Sequence, residues 1–206
     1  MAGKLTLYTH PMSRGRIARW MLEETGAEYD TRIISYDDGM RSPEYLAINP
    51  MGKVPAITHG DRVVTECAAI CAYLADTFPE AGLAPGPDER ADYYRWLFFA
   101  AGPVEAAVSN RSLGIDIPED KKRMIGYGDF DLMHATLISA VTGRDFVCGD
   151  RFTAADVYVG SQIGWGMQFG SIPASPELSA YSERVYAREA FKRASAKDDA
   201  AMAEAG

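Results

Sequence analysis

The chain has 206 residues, enough for one large or two small domains with a buried core. Its composition is ordinary for a globular protein, with 47% hydrophobic and 24% charged residues. The formal net charge of −8 argues against nucleic acid or an anionic membrane as a partner, because both need a concentrated basic surface.

The cysteines and the apolar segments indicate the cellular compartment in which the protein is expected. Cys67, Cys71 and Cys148 are odd in number and none lies in a CxxC motif, which favours a reducing environment. Cys67 and Cys71 are interpreted as buried helix residues rather than a redox pair. The N-terminus lacks a signal-peptide pattern, and the richest apolar run, 96–108, is too short and too interrupted to span a bilayer. We therefore expect a soluble cytoplasmic protein with no membrane partner.

The first part of the chain alternates between strand and helix patterns. Residues 5–8 and 29–33 alternate apolar and polar side chains, which predicts two short strands. Between them apolar residues recur at helical spacing from Ile17 to Met21, and Gly26 is typical of a helix C-terminus. These elements predict a βαβ unit with a right-handed crossover.

A short helix, a hairpin and a longer helix are predicted next. Ser42 and Pro43 supply the N-cap and first-turn proline that open a helix. Residues 54–58 and 62–64 flank a glycine-containing turn, which predicts a β-hairpin. From Thr65 the spacing becomes helical, so the first 78 residues have the order βαβαββα.

The remainder of the chain is predicted to be helical. Residues 79–87 are rich in proline and glycine and lack periodicity, which indicates a linker between domain 1–78 and domain 88–206. We predict four helical regions in the second domain: one interrupted at Gly102-Pro103, one over 120–141, one opened by Thr153 and one over 183–193. In the third, Thr153 and Asp156 form a capping signature in which each side chain can bond the other residue's amide.

The stretch from Asn49 to Ile70 places a proline at a strand start and an acid at a helix start. Pro55 cannot donate a ladder hydrogen bond, so it is expected at an edge or at the first residue of the strand. The Val54-Pro55 bond can be cis, but the rarity of cis X-Pro bonds favours an ordinary loop proline. Glu66 at a helix start is explained by complementation of the helix dipole.

Taken together, these motifs resemble the cytosolic glutathione transferases over nearly the whole chain. The features that carry the resemblance are the run NPMGKVPAI with its later acid, the βαβαββα order, the linker, and an all-helical domain containing FTAADV. The resemblance implies an α/β thioredoxin-like first domain, an all-α second domain, a cis bond before Pro55, a folding role for Thr153 and Asp156, and a homodimer.

The loop after the first strand is similar to the nucleophile loop of serine-using classes. His10-Pro11-Met12-Ser13 resembles the bacterial-type and plant phi-like members, which implies that Ser13 hydrogen-bonds the glutathione sulfur. From the residues alone, Ser13 is also explained as an N-cap of the first helix. Arg14-Gly15-Arg16 is similar to tyrosine-using classes and keeps Tyr8 as an alternative. The loop contains no cysteine, which disfavours glutathione-disulfide chemistry.

The resemblance also implies the remainder of a glutathione site. Glu66 would hold the γ-glutamyl ammonium, the Val54 backbone would pair with the cysteinyl part, and Lys53 would reach the glycyl carboxylate. Lys53 is explained equally well as a solvated loop lysine. Cys67 stands where the family usually has a serine that donates its amide and hydroxyl to the γ-glutamyl carboxylate. Because a thiol is a weak donor, we expect one weakened hydrogen bond and reduced affinity.

The second domain is expected to supply an apolar pocket for a hydrophobic electrophile. Its candidates, each of which could instead be a core residue, are Tyr93, Tyr94, Phe98, Phe99, Trp165 and Phe169. His59 and His134 have no ligand-spaced partners, so we expect no metal.

The function predicted from these features is a detoxifying glutathione transferase. Glutathione is then a co-substrate, and no other cofactor is needed. Two alternatives keep the same fold: a non-catalytic glutathione- or ligand-binding or regulatory protein, and a glutathione-dependent peroxidase.

Overall fold

A computed structural model describes residues 3–205 of the protein. Two compact units are present: one runs to Leu83 and includes the C-terminal segment from Ala187, and the other is Ala84–Tyr186. The predicted division into 1–78, 79–87 and 88–206 stays a prediction, and it differs from these units in the assignment of the last helix.

The first unit contains a four-stranded mixed sheet in the order β2-β1-β3-β4. Its elements are β1 (Leu5–Thr9), α1 (Gly15–Thr25), β2 (Asp30–Ile33), α2 (Pro43–Leu46), β3 (Ala56–His59), β4 (Arg62–Thr65), α3 (Cys67–Thr77) and α9 (Glu189–Ala205). Strand β1 is parallel to β2 and antiparallel to β3, and β3 is antiparallel to β4. The predicted βαβαββα order and thioredoxin-like α/β class are confirmed.

The local signals that predicted these elements have structural counterparts. The Ser42 hydroxyl accepts from the Tyr45 amide and caps α2, and Gly26 ends α1 with a φ of 68°. The hairpin turns at Gly60, where φ is 61°. Strand β3 begins at Ala56 rather than Val54, because the two residues before it belong to a loop.

Helices α1 and α3 contact each other and contribute the core of the first unit with β1 and β3. Ile17, Trp20, Ile57, Ile70 and Leu74 are each no more than 1% exposed. At about 25 cal/mol per Å² of apolar surface removed from water, such side chains each contribute roughly 1.5–3 kcal/mol. This core holds the amino ends of α1 and α3 in place.

Helix α9 packs along α1, which the helical pattern alone could not predict. Arg19 of α1 and Asp198 of α9 form a buried ion pair with 2.8 Å between nitrogen and oxygen. Trp20 makes an edge contact with Phe191, their ring centroids being 5.0 Å apart. These contacts group the last helix with the first unit instead of with the other helices.

The second unit is all helical, as predicted. Its helices are α4 (Arg90–Phe99), α5 (Glu105–Ser112), α6 (Phe130–Val141), α7 (Ala154–Gln168) and α8 (Pro176–Tyr186). Short 3-10 turns occur at Pro87–Glu89 and Glu119–Lys121, as they do at Gly39–Arg41 and Pro79–Ala81 in the first unit. A π-helical turn, Ala100–Val104, joins α4 to α5 around Pro103 and confirms the predicted interruption.

Two predicted helices are wrong in their bounds. The expected helix over 183–193 is divided, because α8 ends at Tyr186 and α9 begins at Glu189. The expected helix over 120–141 begins only at Phe130, where the Asp129 side chain accepts from the Leu132 amide at 2.8 Å. Gly126 and Gly128 precede this cap, and Gly128 has a φ of 70° that a helix cannot accommodate. Two closely spaced glycines therefore outweigh the weak periodicity of residues 120–125.

The capping signature at the start of α7 is present in the structure. The Thr153 amide donates to Asp156 Oδ2 at 2.8 Å, and the buried Asp156 carboxylate also accepts from the Val147 amide at 2.8 Å and the Tyr181 hydroxyl at 2.9 Å. Burial, together with the nearby Asp156 charge, raises the pKa of the Tyr181 phenol well above its usual range. That these residues guide folding remains a prediction.

Within residues 3–205, no helix is both long enough and apolar enough to cross a bilayer.

Candidate active site

Ser13 lies in the loop between β1 and α1, one residue before the N-cap of α1. Its half-buried hydroxyl donates to the carbonyl oxygen of His10 at 2.6 Å and accepts from the amide of Gly15 at 2.9 Å. The side chain thus bonds the first residue of the helix, but the N-cap of α1 is Arg14 and not Ser13, so the N-cap alternative is wrong by one residue. Its oxygen also lies at the amino end of an 11-residue helix, where the dipole favours an anion.

Gly15 lets α1 start directly against β1. A Cβ atom at this position would lie 1.8 Å from Thr9 Oγ1 and 2.9 Å from Ser13 Oγ. Thr9 is fully buried, and its hydroxyl has no hydrogen-bond partner among the described residues. Any larger residue would therefore force the Thr9 or Ser13 side chain, or the start of α1, to move.

The loop before β3 is held by side chains that the sequence analysis did not identify. Asn49 Nδ2 and the Tyr45 hydroxyl donate to the carbonyl of Lys53 at 2.7 and 2.6 Å. Asn49 Oδ1 accepts from the Met51 amide at 3.1 Å. Asn49 and Tyr45 are 3% and 2% exposed, so the Lys53 backbone is fixed from a rigid base. Asparagine followed by proline and glycine is a common turn composition, and this pattern could have predicted that Asn49 holds the loop.

Gly52 completes this loop with a backbone conformation that favours glycine. Its φ is 58°, and a Cβ atom would lie 2.7 Å from the carbonyl oxygen of Met40. The Gly52 amide donates to the Asn49 carbonyl at 2.8 Å. The glycine therefore allows the tight return that leads into Lys53.

The Val54-Pro55 peptide bond is cis, as the resemblance implies. Neither backbone group of Val54 makes a hydrogen bond with any residue of 3–205, whereas the next strand residue, Ala56, pairs with Tyr8 of β1. Tyr8 is half-buried, and its hydroxyl likewise has no hydrogen bond within the described part of the chain. The Val54 backbone and the Tyr8 side chain are thus both open to a ligand at this edge of the site.

The start of α3 contains two predicted site residues. Glu66 has a φ of 65° and a ψ of 117°, the one positive φ at a non-glycine position among residues 3–205. Its side chain is exposed, whereas Cys67 is 8% exposed. Strained backbone of this kind costs about 1–3 kcal/mol and is maintained by the surrounding structure.

Cys67 connects α3 to α1. Its thiol donates to the carbonyl oxygen of Arg14 at 3.3 Å, so the amino ends of the two helices meet beside Ser13. The thiol is therefore committed to a backbone acceptor, which sequence reasoning did not anticipate. The Cys67 amide, at the first turn of α3, remains at the positive end of the helix dipole.

The charged site residues face solvent. Lys53 and Glu66 are exposed, and neither side chain forms an ion pair with the residues the structure describes. One can neutralise a carboxylate and the other an ammonium. A ligand that has both a carboxylate and an ammonium group matches these two charges.

The other thiols are unsuited to nucleophilic chemistry. Burial raises the pKa of the Cys71 thiol well above its usual range and that of Cys148 to about 11. Both are therefore protonated at neutral pH. Cys67 and Cys71 are free and buried, which agrees with the interpretation as helix residues.

Two further features lie apart from these residues. A cavity of about 780 Å³ in the first unit is lined by residues that include Lys4, Glu23, Tyr29, Arg193 and Lys197, and contains none of the predicted site residues. Across residues 3–205, no cluster of three or more His, Cys, Asp or Glu side chains could hold a metal ion.

The aromatic candidates in the second unit fall into two groups. Tyr93 is 1% exposed and belongs to the core, so it is wrong as a pocket residue. Phe98 and Phe169 are 70% and 76% exposed, and Tyr94 is 43% exposed. The exposed aromatics remain candidates for binding an apolar group.

Comparison with known proteins places both halves of the chain in one family. Residues 3–76 match the model for the N-terminal domain of glutathione S-transferase, and residues 130–189 match that for its C-terminal domain. Glutathione S-transferase 1 of Dianthus caryophyllus is 30% identical over 195 residues, covering 85% of this chain and 86% of that protein.

Solved structures agree with these matches. A glutathione S-transferase from Xylella fastidiosa has a TM-score of 0.78 and 25% identity, covering 95% of this chain and 98% of that one. A theta class glutathione S-transferase from Xanthomonas axonopodis pv. citri, solved with glutathione bound, has a TM-score of 0.75 and 27% identity. This match covers 93% of our chain and 97% of the Xanthomonas chain.

Proposed function

Because this chain belongs to the cytosolic glutathione transferase superfamily, we propose that it binds glutathione and conjugates the thiolate to hydrophobic electrophiles. The observation that carries the proposal is the meeting of α1 and α3, where the Cys67 thiol lies 3.3 Å from the Arg14 carbonyl and next to Ser13. Glutathione bound in a relative of the same fold supports the choice of ligand.

Glutathione would lie along the charged and open groups of the first unit. Glu66 holds the γ-glutamyl ammonium, and the Cys67 amide binds the γ-glutamyl carboxylate. The backbone of Val54 pairs with the cysteinyl residue, and Lys53 neutralises the glycyl carboxylate. The exposure of Glu66 and Lys53 and the unbonded backbone of Val54 support this arrangement.

Ser13 is assigned to thiolate stabilisation. A free thiol has a pKa of about 8.5, and lowering it by one unit requires about 1.4 kcal/mol. A hydrogen bond from a hydroxyl to an anion contributes roughly 1.5–3 kcal/mol, so one donor is sufficient. The Ser13 proton now faces the His10 carbonyl and must rotate to the sulfur, while the oxygen keeps the bond from the Gly15 amide.

In the reaction itself, the thiol first releases its proton to solvent. The sulfur lone pair then forms a bond to the electrophilic carbon, and the leaving group departs with its electron pair. An activated alkene would instead take up a proton from water. No metal or redox cofactor takes part, and the aromatic side chains Phe98 and Phe169 are available to an apolar substrate.

We further propose that the protein acts in the cytoplasm, where glutathione is kept reduced, in detoxification, and as a homodimer. The cysteines support the compartment, since all three described thiols are free. The family supports the dimer.

A second candidate is a glutathione-binding protein without transferase activity. It is favoured by one observation: both the Ser13 hydroxyl and the Cys67 thiol donate to backbone carbonyls. If these bonds persist with glutathione bound, neither the Ser13 hydroxyl nor the Cys67 thiol donates to the ligand, and the glutathione thiol stays protonated. Peroxide reduction would use the same thiolate and fails under the same condition.

Thiolate absorbance distinguishes these functions. Mixing the wild-type protein with glutathione at neutral pH should produce the ultraviolet difference band of a thiolate and quench tryptophan fluorescence. Ser13→Ala should lose the band but keep the quenching. Ser112→Ala is a matched control, because the Ser112 hydroxyl also donates to a carbonyl three residues earlier, at 2.8 Å. Quenching without a thiolate band in the wild type would establish the binding protein instead.

A further inference from the structure

The loop that carries Ser13 is anchored at three consecutive carbonyls. The His10 carbonyl accepts from the Ser13 amide at 3.0 Å as well as from its hydroxyl. The Pro11 carbonyl accepts from Arg16 Nε at 2.6 Å, and the Met12 carbonyl accepts from the Tyr36 hydroxyl at 2.7 Å. Ser13 forms only the first of these bonds, so the loop also depends on side chains elsewhere.

Tyr36 reaches the loop from the segment after β2. The Ile34 amide donates to the Thr9 carbonyl at 2.8 Å, which brings this segment beside the end of β1. The Tyr36 ring contacts the His10 ring with 4.1 Å between centroids and a tilt of 47°, and His10 Nδ1 accepts from the Met12 amide at 3.2 Å. Tyr36 and His10 together hold Met12, whose own side chain is 68% exposed.

Arg16 is anchored in turn by the C-terminal helix. One arm of its guanidinium binds the Pro11 carbonyl, and another pairs with Asp199 of α9 at 2.6 Å. The rigid fork of arginine can satisfy both acceptors at once, which the single ammonium of lysine does less well. Asp199, 183 residues later in the chain, thereby fixes the orientation of a side chain that touches the nucleophile loop.

We propose that Tyr36 and Arg16 are positioning residues for Ser13, and that Asp199 acts through Arg16; this inference rests on the proposed function. They fix the loop so that the Ser13 hydroxyl can turn from the His10 carbonyl to the sulfur without the backbone moving. A displacement of the loop would lengthen the bond to the sulfur, and hydrogen bonds weaken steeply as their geometry departs from the optimum. The proposed substrate-binding residues Lys53, Val54 and Glu66 lie on other segments, and the Cys67 thiol bonds the carbonyl of Arg14, which is not one of the three carbonyls anchored by Ser13, Arg16 and Tyr36.

The first test is Tyr36→Phe, which keeps the ring on His10 and removes the bond to Met12. The pKa of bound glutathione, titrated by thiolate absorbance, should rise, and kcat should fall about three- to tenfold, the equivalent of one neutral hydrogen bond. The dissociation constant of glutathione should change by less than about twofold. Tyr73→Phe is the control, because it removes a hydroxyl bonded to His59 at 3.0 Å and should titrate as the wild type.

The second test is Asp199→Asn, which leaves Arg16 in place without its charged partner. It should raise the pKa of the bound thiol in the same direction as Tyr36→Phe, by a smaller amount because Asp199 is 60% exposed. Glu189→Gln is its control: it breaks an ion pair with Lys192 within α9 that does not involve α1.

Amide hydrogen exchange separates this inference from the proposed function. In the protein without glutathione, Tyr36→Phe should speed exchange at the Met12 and Ser13 amides. Absence of the thiolate band in the wild type would overturn the proposed function. Unchanged exchange at the Met12 and Ser13 amides in Tyr36→Phe would overturn the anchoring of the loop, whether or not the band is present. The positioning role is overturned if glutathione produces the band but its bound pKa in Tyr36→Phe and Asp199→Asn equals that in the wild type. It is also overturned if these variants lose affinity for glutathione by the same factor as they lose kcat.

Discussion

The thiol of Cys67 donates to the carbonyl oxygen of Arg14 across 3.3 Å, and this bond joins the start of α3 to the start of α1. The two helices supply different parts of the proposed glutathione site: α1 follows Ser13, and α3 follows Glu66. In the proposed site, this partly buried contact would set the distance between the glutathione sulfur and the γ-glutamyl end. We therefore expect Cys67 to affect both the binding of glutathione and the activation of its thiol.

Replacing Cys67 with serine should tighten glutathione binding modestly. A hydroxyl is a better donor than a thiol and can serve either the Arg14 carbonyl or the γ-glutamyl carboxylate. Because the hydroxyl replaces a weak donor and does not add a wholly new bond, we expect a gain of about 0.5–1.5 kcal/mol, or a roughly two- to tenfold rise in affinity. Titration calorimetry of Cys67→Ser beside Cys67→Ala measures it. Unchanged or weaker binding by the serine variant would count against this role for residue 67.

Glu66→Gln should weaken glutathione binding while leaving the fold intact. A hydrogen bond to a charged group contributes roughly 1.5–3 kcal/mol, which corresponds to a loss of about 10- to 150-fold in affinity. The exposed Glu66 side chain makes no ion pair among residues 3–205, so thermal stability should stay close to that of the wild type. Glu44→Gln, at an exposed acid in the first turn of α2, is the control. Equal affinities for the two variants would exclude Glu66 as the ammonium ligand.

Asp156→Ala should destabilise the protein strongly. The carboxylate accepts from the amides of Val147 and Thr153 and the hydroxyl of Tyr181, and its removal leaves buried donors unpaired. Each unpaired donor costs about 1–3 kcal/mol, so we expect the free energy of unfolding in urea to fall by on the order of 3–5 kcal/mol. Thr153→Ser, which keeps the amide and the hydroxyl and loses one buried methyl, should lower it by only about 1 kcal/mol. A small loss for Asp156→Ala would rule out a structural role.

Glu23 should make stability depend on pH. Burial raises the pKa of this carboxyl, but hydrogen bonds from Lys197, Tyr29 and Arg193 outweigh it and hold the pKa below its ordinary value of 4.5. The folded state therefore binds fewer protons, and the stabilisation is present above pH 4.5 and lost as pH falls through the folded pKa. The melting temperatures of wild type and Glu23→Gln should differ at neutral pH. They should approach each other as the pH falls below 4.5 and converge once it is below the folded-state pKa of Glu23. A gap that is independent of pH would contradict it.

Much of this architecture follows from local rules. Helix ends are predicted by capping interactions that act over three or four residues. The structure contains those predicted at Ser42, at Gly26 and at the Thr153–Asp156 pair. The same reasoning failed at 120–129, where two glycines overrode a weak helical pattern.

Long-range partners were beyond such rules. No periodicity indicates that Asp198 lies against Arg19, or that Tyr36 reaches the Met12 carbonyl, because those pairs are set by how elements pack. For the site, motif resemblance predicted Ser13, Glu66 and Cys67, yet their hydrogen bonds could not be read from the sequence. The side chains that hold the site loops, rather than those that touch the ligand, are what the structure adds.

A crystal structure of the protein with glutathione bound is the decisive measurement of the Ser13 assignment, since it shows which hydroxyl lies nearest the sulfur. We expect the Ser13 oxygen within hydrogen-bond distance of the sulfur, no longer donating to the His10 carbonyl. A sulfur closer to the Tyr8 hydroxyl, or contacted by backbone amides alone, would contradict it.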